Sequence, residues 1–362
     1  YEQCDRKGLL VWQEFPLAGN NYRSTPEYLD LLEQESESII RRLRDHPSIA
    51  IWSGGSGLFS ASGGMTNQSC VLRLLNSQCL KLDQQTPFFN TSPLEGMVGG
   101  PLFFSDPESG EEVYGQMANT RATAYTEFGI PAPAPVKVLR KISPEKELWP
   151  PQPGTAWESH RAFNVGDTTS AWMMQEMIED YFGSSGTLET FVENGQLIQA
   201  EGYKAIYEEA RRQKPLTGMA IARFFNESWP AAAGTSVISW PDIPKPAFYS
   251  VRDACRPALA SARIKKMKWQ EGELFEADLF FLNDKFSAID QGRIVVKLVA
   301  GGRELTLLNW DHDRVEPNIN LHGPTVRKIL PKWDVDRFML RLEVLGHPEY
   351  NAEYLLLYER GE

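Results

Sequence analysis

Over the first two thirds of the chain, short apolar runs alternate with longer stretches of helical period, and closely spaced two-residue alternation then takes over. Gly8-Leu9-Leu10-Val11-Trp12-Gln13-Glu14-Phe15, between Gly8 and Pro16, has the pattern of a strand buried on both faces in a parallel sheet. Thr25-Pro26-Glu27 predicts an N-cap with Pro at the first helical position, and Leu29, Leu32, Ser36, Ile39, Ile40 and Leu43 carry the helix to Asp45-His46-Pro47. Strands are predicted at Ser48 to Trp52, Pro87 to Asn90, Ala124 to Phe128 and Met219 to Phe225, with a short one near Val237 to Trp240. Helices are predicted at Val71 to Leu82, Ser170 to Tyr181 and Gly195 to Arg212.

Strands alternating with helices predict a parallel α/β architecture, read as a (β/α)₈ barrel. About six strands are legible where closure needs eight, so the first strands are expected to precede Tyr1. After Arg256-Pro257 the segments at Phe275 to Phe281, Gly292 to Leu298, Phe338 to Val344 and Ala352 to Tyr358 are short alternating strands, as in a small immunoglobulin-like β-sandwich. The expected domains are a partial barrel over residues 1–257 and a sandwich over 258–362. The Pro-rich stretches at 130–135 and 149–154 read as barrel loops, because barrel-like segments resume after each.

Composition narrows the partners. A formal net charge of -11 disfavours nucleic acid and anionic membranes, either of which calls for a basic face, and favours a neutral ligand. The aromatic share of 11% suits sugar stacking and an ordinary core equally. Cys4, Cys70, Cys79 and Cys255 have neither metal-ligand spacing nor disulfide-scaffold density, and the five His show no zinc spacing. Gly54-Gly55 and Gly63-Gly64 lack the Lys-Ser/Thr of a phosphate loop. No cofactor and no membrane span are expected; the start at Tyr1-Glu2-Gln3-Cys4 reads as the interior of a longer polypeptide with N-terminal domains, which leaves localisation undetermined.

Barrel enzymes keep reacting groups at C-terminal strand ends, which directs attention to Glu14, Ser56-Gly57, Asn90-Thr91-Ser92, Glu127, Asn226-Glu227 and Asp242. Four segments around these positions carry a family pattern in a shared order. They are Arg41-Arg42-Leu43-Arg44-Asp45-His46-Pro47-Ser48-Ile49-Ala50-Ile51-Trp52-Ser53-Gly54-Gly55, Tyr125-Thr126-Glu127-Phe128-Gly129, Gln196-Leu197-Ile198-Gln199-Ala200-Glu201-Gly202-Tyr203 and Phe225-Asn226-Glu227-Ser228-Trp229-Pro230. Together they resemble family 2 of the glycoside hydrolases, in its β-mannosidase and exo-β-glucosaminidase-like branch, over nearly the whole chain.

The resemblance implies that Glu127 stands at the position of the nucleophile that forms a glycosyl-enzyme intermediate. After Trp-Ser-Gly-Gly the family places Asn-Glu, the Asn holding the sugar's 2-position substituent and the Glu serving as general acid and then base; this chain has Ser56-Gly57. Glycine cannot donate a proton, and general acid-base assistance is worth roughly two to four powers of ten in rate, so hydrolysis of unactivated glycosides is expected to be impaired. The corresponding stretches Gly99-Gly100-Pro101-Leu102 and Arg223-Phe224-Phe225 also depart from a His-containing loop and an aromatic that the resemblance implies.

Plainer roles stand beside these. Glu127 without its context reads as a structural carboxylate paired with a barrel Arg, and with Thr126 and Phe128-Gly129 in family register as the nucleophile position; Trp52, Trp229 and Trp240 read as packing, with Trp229 beside Asn226 the best stacking candidate; Glu14 and Glu227 line a pocket or cap helices; His46 caps or packs at a helix end; Arg41, Arg42 and Arg44 form a solvated face. The expected site is thus Glu127 and Gly57 at catalytic positions, with Ser56, Trp52, Glu14, Asn226, Glu227 and Trp229 for substrate, and Glu14, Glu95 or Glu227 as sources of a recruited acid. The expected function is a retaining β-glycoside hydrolase-like protein acting on or binding β-linked sugars. The alternative is a catalytically inactive relative serving as a carbohydrate-binding or structural domain.

Overall fold

Residues 1–161 and 174–361 are described by the computed structural model, and the chain divides into two units, Tyr1–Gly99 and Gly100–Glu362. In the first unit, β1 (Val11–Glu14), β2 (Ile49–Ser53) and β3 (Phe88–Phe89) form a parallel sheet in that order. Helix α1 (Glu2–Lys7) precedes β1, α2 (Pro26–Leu43) links β1 to β2, and α3 (Cys70–Leu82) links β2 to β3. Thr25 Oγ1 accepts the Tyr28 amide at 3.4 Å and starts α2 where the sequence predicts it. Leu32, Ile40 and Leu43 of α2 then pack with Val71, Leu72 and Leu75 of α3 against Phe15 and Trp52. The β1 expectation needs correction: all four of its residues are only half-buried, because β1 lies at the edge of this sheet. His46 behaves as a helix-end residue, its Nδ1 2.6 Å from Asp5 Oδ2, while Asp5 Oδ1 accepts the Ser48 amide at 3.0 Å.

Beyond β2 the chain runs into Gly54-Gly55, where neighbouring backbone leaves no room for side chains. A Cβ on Gly54 would lie 2.4 Å from the Asn90 carbonyl oxygen, and one on Gly55, at φ +148°, 2.1 Å from that of Leu17. The extensions of β1 and β3 can therefore close on the tip of β2 from both sides.

The second unit holds α4 (Val113–Asn119), β4 (Ala124–Phe128), α5 (Val136–Ile142), α6 (Gln175–Phe182), α7 (Leu188–Arg212), β5 (Met219–Ala222), β6 (Ile238–Ser239) and α8 (Pro246–Ala254). Strands β4 and β5 pair in parallel across the 25-residue helix α7, which starts earlier than its apolar period indicates because Thr187 Oγ1 caps the Thr190 amide at 3.2 Å. The expected helix at Ser170 to Tyr181 lies partly outside the described residues. β5 ends at Ala222, and β6 pairs antiparallel with Ile243–Pro244.

From Ala258 the chain forms two sheets. β7 (Ala258–Ile264), β9 (Leu274–Asn283) and β12 (Leu321–Ile329) make one, in the order β7-β9-β12. β8 (Lys268–Gln270), β10 (Gly292–Ala300), β11 (Arg303–His312), β13 (Arg337–Val344) and β14 (Ala352–Glu359) make the other, in the order β8-β14-β13-β10-β11. Alternate residues from both, including Phe275, Phe281, Val296, Leu298, Leu340 and Leu356, fill one core between them. β7 escapes sequence reading because Ala-Leu-Ala-Ser-Ala-Arg-Ile has little β-branched or aromatic content.

A buried polar cluster joins α7 to this core. Arg212 donates from Nε to Glu209 at 2.8 Å and from Nη1 to Glu208 at 3.2 Å, while Ser261 and Tyr354, one from each sheet, donate to Glu208 Oε2 at 2.6 Å. Arg263 of β7 grips Glu209 with two further bonds, of 2.9 and 2.6 Å. Burial pushes the Glu209 carboxyl up, and Arg212 and Arg263 outweigh it, so the net direction is down.

Two stability outcomes follow from these contacts. Gly55→Ala is expected to cost about 2–4 kcal/mol, whereas Gly186→Ala, with open space around its Cβ, is expected to be near neutral by urea denaturation. Arg212→Met leaves the buried Glu208 without its cation and Glu209 with Arg263 alone, and is expected to cost about 3–5 kcal/mol in the same assay.

Candidate functional site

Glu14 ends β1 and Ser56-Gly57 follow β2, so three of the expected site residues share one end of a parallel sheet. Ser56 donates its amide to Leu17 O at 3.0 Å and accepts from Gly19 at 2.9 Å, and the Gly57 amide reaches Ser92 O at 2.8 Å. Gly57 adopts φ +64°, and the nearest atom to a Cβ built there is 3.9 Å away. Its carbonyl accepts Ser60 Oγ at 2.6 Å, and Ser60 Oγ in turn accepts the Gly63 amide at 3.1 Å, closing a small loop on itself. Glu14 Oε1 lies 3.5 Å from Ser53 Oγ. Glu95 is exposed. Trp52 must be corrected as a sugar contact: it is 0% exposed, stacked on Phe15 at 5.9 Å, with Nε1 donating to Asp83 at 2.9 Å.

Glu127 sits in the last turn of pleat of β4, half-buried between the fully buried Tyr125 and Phe128. Arg223, the first residue after β5, places Nη1 3.8 Å from Glu127 Oε2 and lays its guanidinium 5.0 Å from the Phe224 ring centre. Sequence reading allows Glu127 an Arg partner but does not single out Arg223, whose place is set by pairing of β5 with β4. Asn226 and Trp229 are exposed on the loop beyond, and Trp229 stacks on His160 with ring centres 5.1 Å apart and planes 15° from parallel. His160 is held by its Nδ1, 2.8 Å from Pro230 O. No sequence motif marks this partnership, which joins residues about seventy positions apart.

Glu227 also needs correction. Its carboxylate accepts from Ser236 Oγ at 2.5 Å, Ser239 Oγ at 2.8 Å and the Trp240 amide at 3.1 Å, and lies 3.6 Å from Lys245 Nζ. Buried and met by these donors, it is a structural group that ties the loop after β5 to α8, and it is spent as a ligand for sugar or as a recruited acid. Burial pushes the Lys245 ammonium down from the usual 10.5 to about 8, against the pull of Glu227. Between those values the folded chain binds fewer protons at this group than the unfolded chain, so its contribution to stability rises with pH through that window. Urea melts across that range are expected to show this rise in the wild-type chain and to lose it in Lys245→Met.

Among the described residues no three His, Cys, Asp or Glu side chains converge as metal ligands would, and no helix is long and apolar enough to cross a membrane.

No family model matches the chain. Curated relatives do: β-mannosidase B of Aspergillus flavus and of Aspergillus oryzae are each 28% identical over 311 residues, covering 74% of this chain and 35% of their own length. The chain thus spans about a third of the relatives it matches. Among solved structures, a β-D-mannosidase from Dictyoglomus thermophilum superposes with a TM-score of 0.78 at 22% identity, over 99% of this chain and 44% of that one. The exo-chitosanase of Amycolatopsis orientalis gives 0.73 at 15% identity, over 98% and 43%. These two establish a likeness of fold. In sequence and in fold, the chain resembles the β-mannosidase and exo-β-glucosaminidase-like branch of glycoside hydrolase family 2.

Proposed function

We propose that this chain is a β-glycoside-directed relative of the retaining β-mannosidases that keeps a nucleophile carboxylate at Glu127 and lacks the proton donor at Gly57. The observation that carries this reading is the backbone at Gly57: a left-handed turn, closed by Ser60, with no side chain to protonate a leaving oxygen. Glu127, by contrast, stays on its strand beside an Arg. In the proposed mechanism Glu127 displaces the aglycone at the anomeric carbon, and the aglycone leaves with the bonding electron pair and no proton from the protein. Activated glycosides are then the competent donors, and natural alkyl glycosides react slowly. Ser56, Glu14, Asn226 and Trp229 are proposed sugar contacts, Trp229 through its exposed ring. Glu14 and Glu95 are the proposed sources of a recruited acid, which has to come within about 5–5.5 Å of Glu127.

The fold-level part of the proposal is a (β/α)₈ barrel over residues 1–257 lacking its first strands, an immunoglobulin-like sandwich over 258–362, and further N-terminal domains in the intact polypeptide. Its support is the parallel pairing within each unit and the likeness to a solved β-mannosidase. The second reading is a catalytically inactive, carbohydrate-binding relative. The ion pair between Arg223 and Glu127 favours it, because the guanidinium competes for the charge that an oxocarbenium-like centre needs.

Dinitrophenyl β-mannoside and an activated fluorosugar separate the two. The proposed chemistry gives one covalent sugar on Glu127 by mass spectrometry, none in Glu127→Gln, and faster turnover with azide. No adduct and no azide effect establish the silent reading instead. Gly57→Glu is expected to fold at a cost of about 1–2 kcal/mol for a side chain in the left-handed region, and to raise activity on an unactivated mannoside roughly a hundredfold.

A further inference from the structure

Beside Glu127 the second unit holds a cation that the protein engages only loosely. Arg223 follows β5, and its backbone is pinned to the strand of Glu127: its amide donates to Phe128 O at 2.8 Å, and its carbonyl oxygen lies where a Cβ on Gly129 would meet it at 2.4 Å. From that fixed start the side chain ends with Nη1 3.8 Å from Glu127 Oε2 and the guanidinium 5.0 Å from the Phe224 ring centre. At 3.8 Å the two charges attract without a hydrogen bond. Among the described residues the Arg223 guanidinium donates no hydrogen bond to the protein, and the side chain is 46% exposed. Other arginines of this unit differ: Arg140, Arg212 and Arg263 each hold a carboxylate at 3.2 Å or less.

An accessible guanidinium with unspent donors favours one kind of ligand. Its N–H groups form a planar fork that matches two oxygens of a carboxylate or sulfate, with charge assistance, whereas a neutral hydroxyl offers one oxygen and no charge. The formal net charge of -11 repels anions at a distance; salt screens that field beyond about 10 Å at 0.1 M, and the fork acts at contact. Phe224, itself exposed, presents ring surface beside the cation for the C–H face of a sugar.

We infer that Arg223 selects a sugar bearing an acidic group: the ligand is a β-glycoside whose carboxylate or sulfate takes the guanidinium fork and draws Arg223 off Glu127. A neutral sugar leaves the ion pair in place. The inference rests on the reading of Glu127 as part of a β-glycoside site.

The test is isothermal titration calorimetry of the 362-residue chain with methyl β-mannuronate and methyl β-mannoside, which differ by a carboxylate in place of a hydroxymethyl group. Methyl β-mannoside 6-sulfate is the third ligand and shows which acid the site takes. At least one acidic sugar is expected to bind roughly ten- to a hundredfold tighter than the neutral one. Arg223→Gln is expected to erase that preference, and Arg223→Lys, which keeps the charge without the fork, to retain part of it. Glu127→Gln removes a like charge and a competitor for Arg223, so it is expected to tighten binding of the acidic sugar, a gain that a merely structural Arg223 would not give. Equal binding of all three sugars, binding of none, a preference that survives Arg223→Gln, or weaker acid binding in Glu127→Gln overturns the inference. Binding is read without turnover: an intact preference with no covalent sugar on Glu127 removes the nucleophile role alone, and an adduct without the preference removes this inference alone.

Discussion

The guanidinium of Arg212 is the point on which the second unit depends. It sits at the end of the longest helix, out of water, between Glu208 and Glu209, and those carboxylates are held in turn by Ser261 and Arg263 from one sheet and Tyr354 from the other. An arrangement of that kind gains little net free energy over apolar packing. Its value is geometric, because each carboxylate would otherwise face a low-dielectric interior alone, so only one seating of α7 on the sandwich satisfies all the groups. The helix leads directly to β5, whose pairing with β4 brings Arg223 to Glu127. The position of an ionic partner at the candidate nucleophile therefore traces back to a polar cluster far along the chain.

In the first unit the comparable constraint is the absence of side chains. Gly54 and Gly55 let the Asn90 and Leu17 carbonyls approach the tip of β2 at distances that no Cβ permits. The amides of Ser56 and Gly57 are then committed to Leu17 and Ser92. The tip is tied by backbone hydrogen bonds on both sides, and what it presents at position 57 is a glycine in the left-handed region. Ser60 closes the loop there, donating to the Gly57 carbonyl and accepting the Gly63 amide.

The likeness to β-mannosidases and the departures from them rest on different residues. Fold likeness follows from strand order, helix packing and the two-sheet domain, all of which persist at 22% identity. Chemistry rests on a few side chains, and those that bear on the proposal are Glu127 with Arg223 3.8 Å away, and the bare backbone at Gly57. Likeness of fold therefore leaves the chemistry to be argued from the site.

Much was legible in the sequence. The Thr25-Pro26 start of α2, the parallel strands around Trp52 and Glu127, and the alternating strands of the sandwich follow from periodicity, capping and turn residues, which act over a few positions. That position 57 offers no side chain was legible as well, since no fold can give glycine one. The strand β7 was hidden by its alanines, and the exposed edge of β1 by an apolar run that reads as buried. Trp52 and Glu227 drew attention as sugar ligands, and only packing showed them committed to Asp83 and to Ser236, Ser239 and Lys245. The Arg223 partner and the His160 stack join residues tens of positions apart. Local sequence rules determined which segments became strands and helices; tertiary structure decided which polar side chains were already satisfied, because that depends on neighbours that only folding brings together.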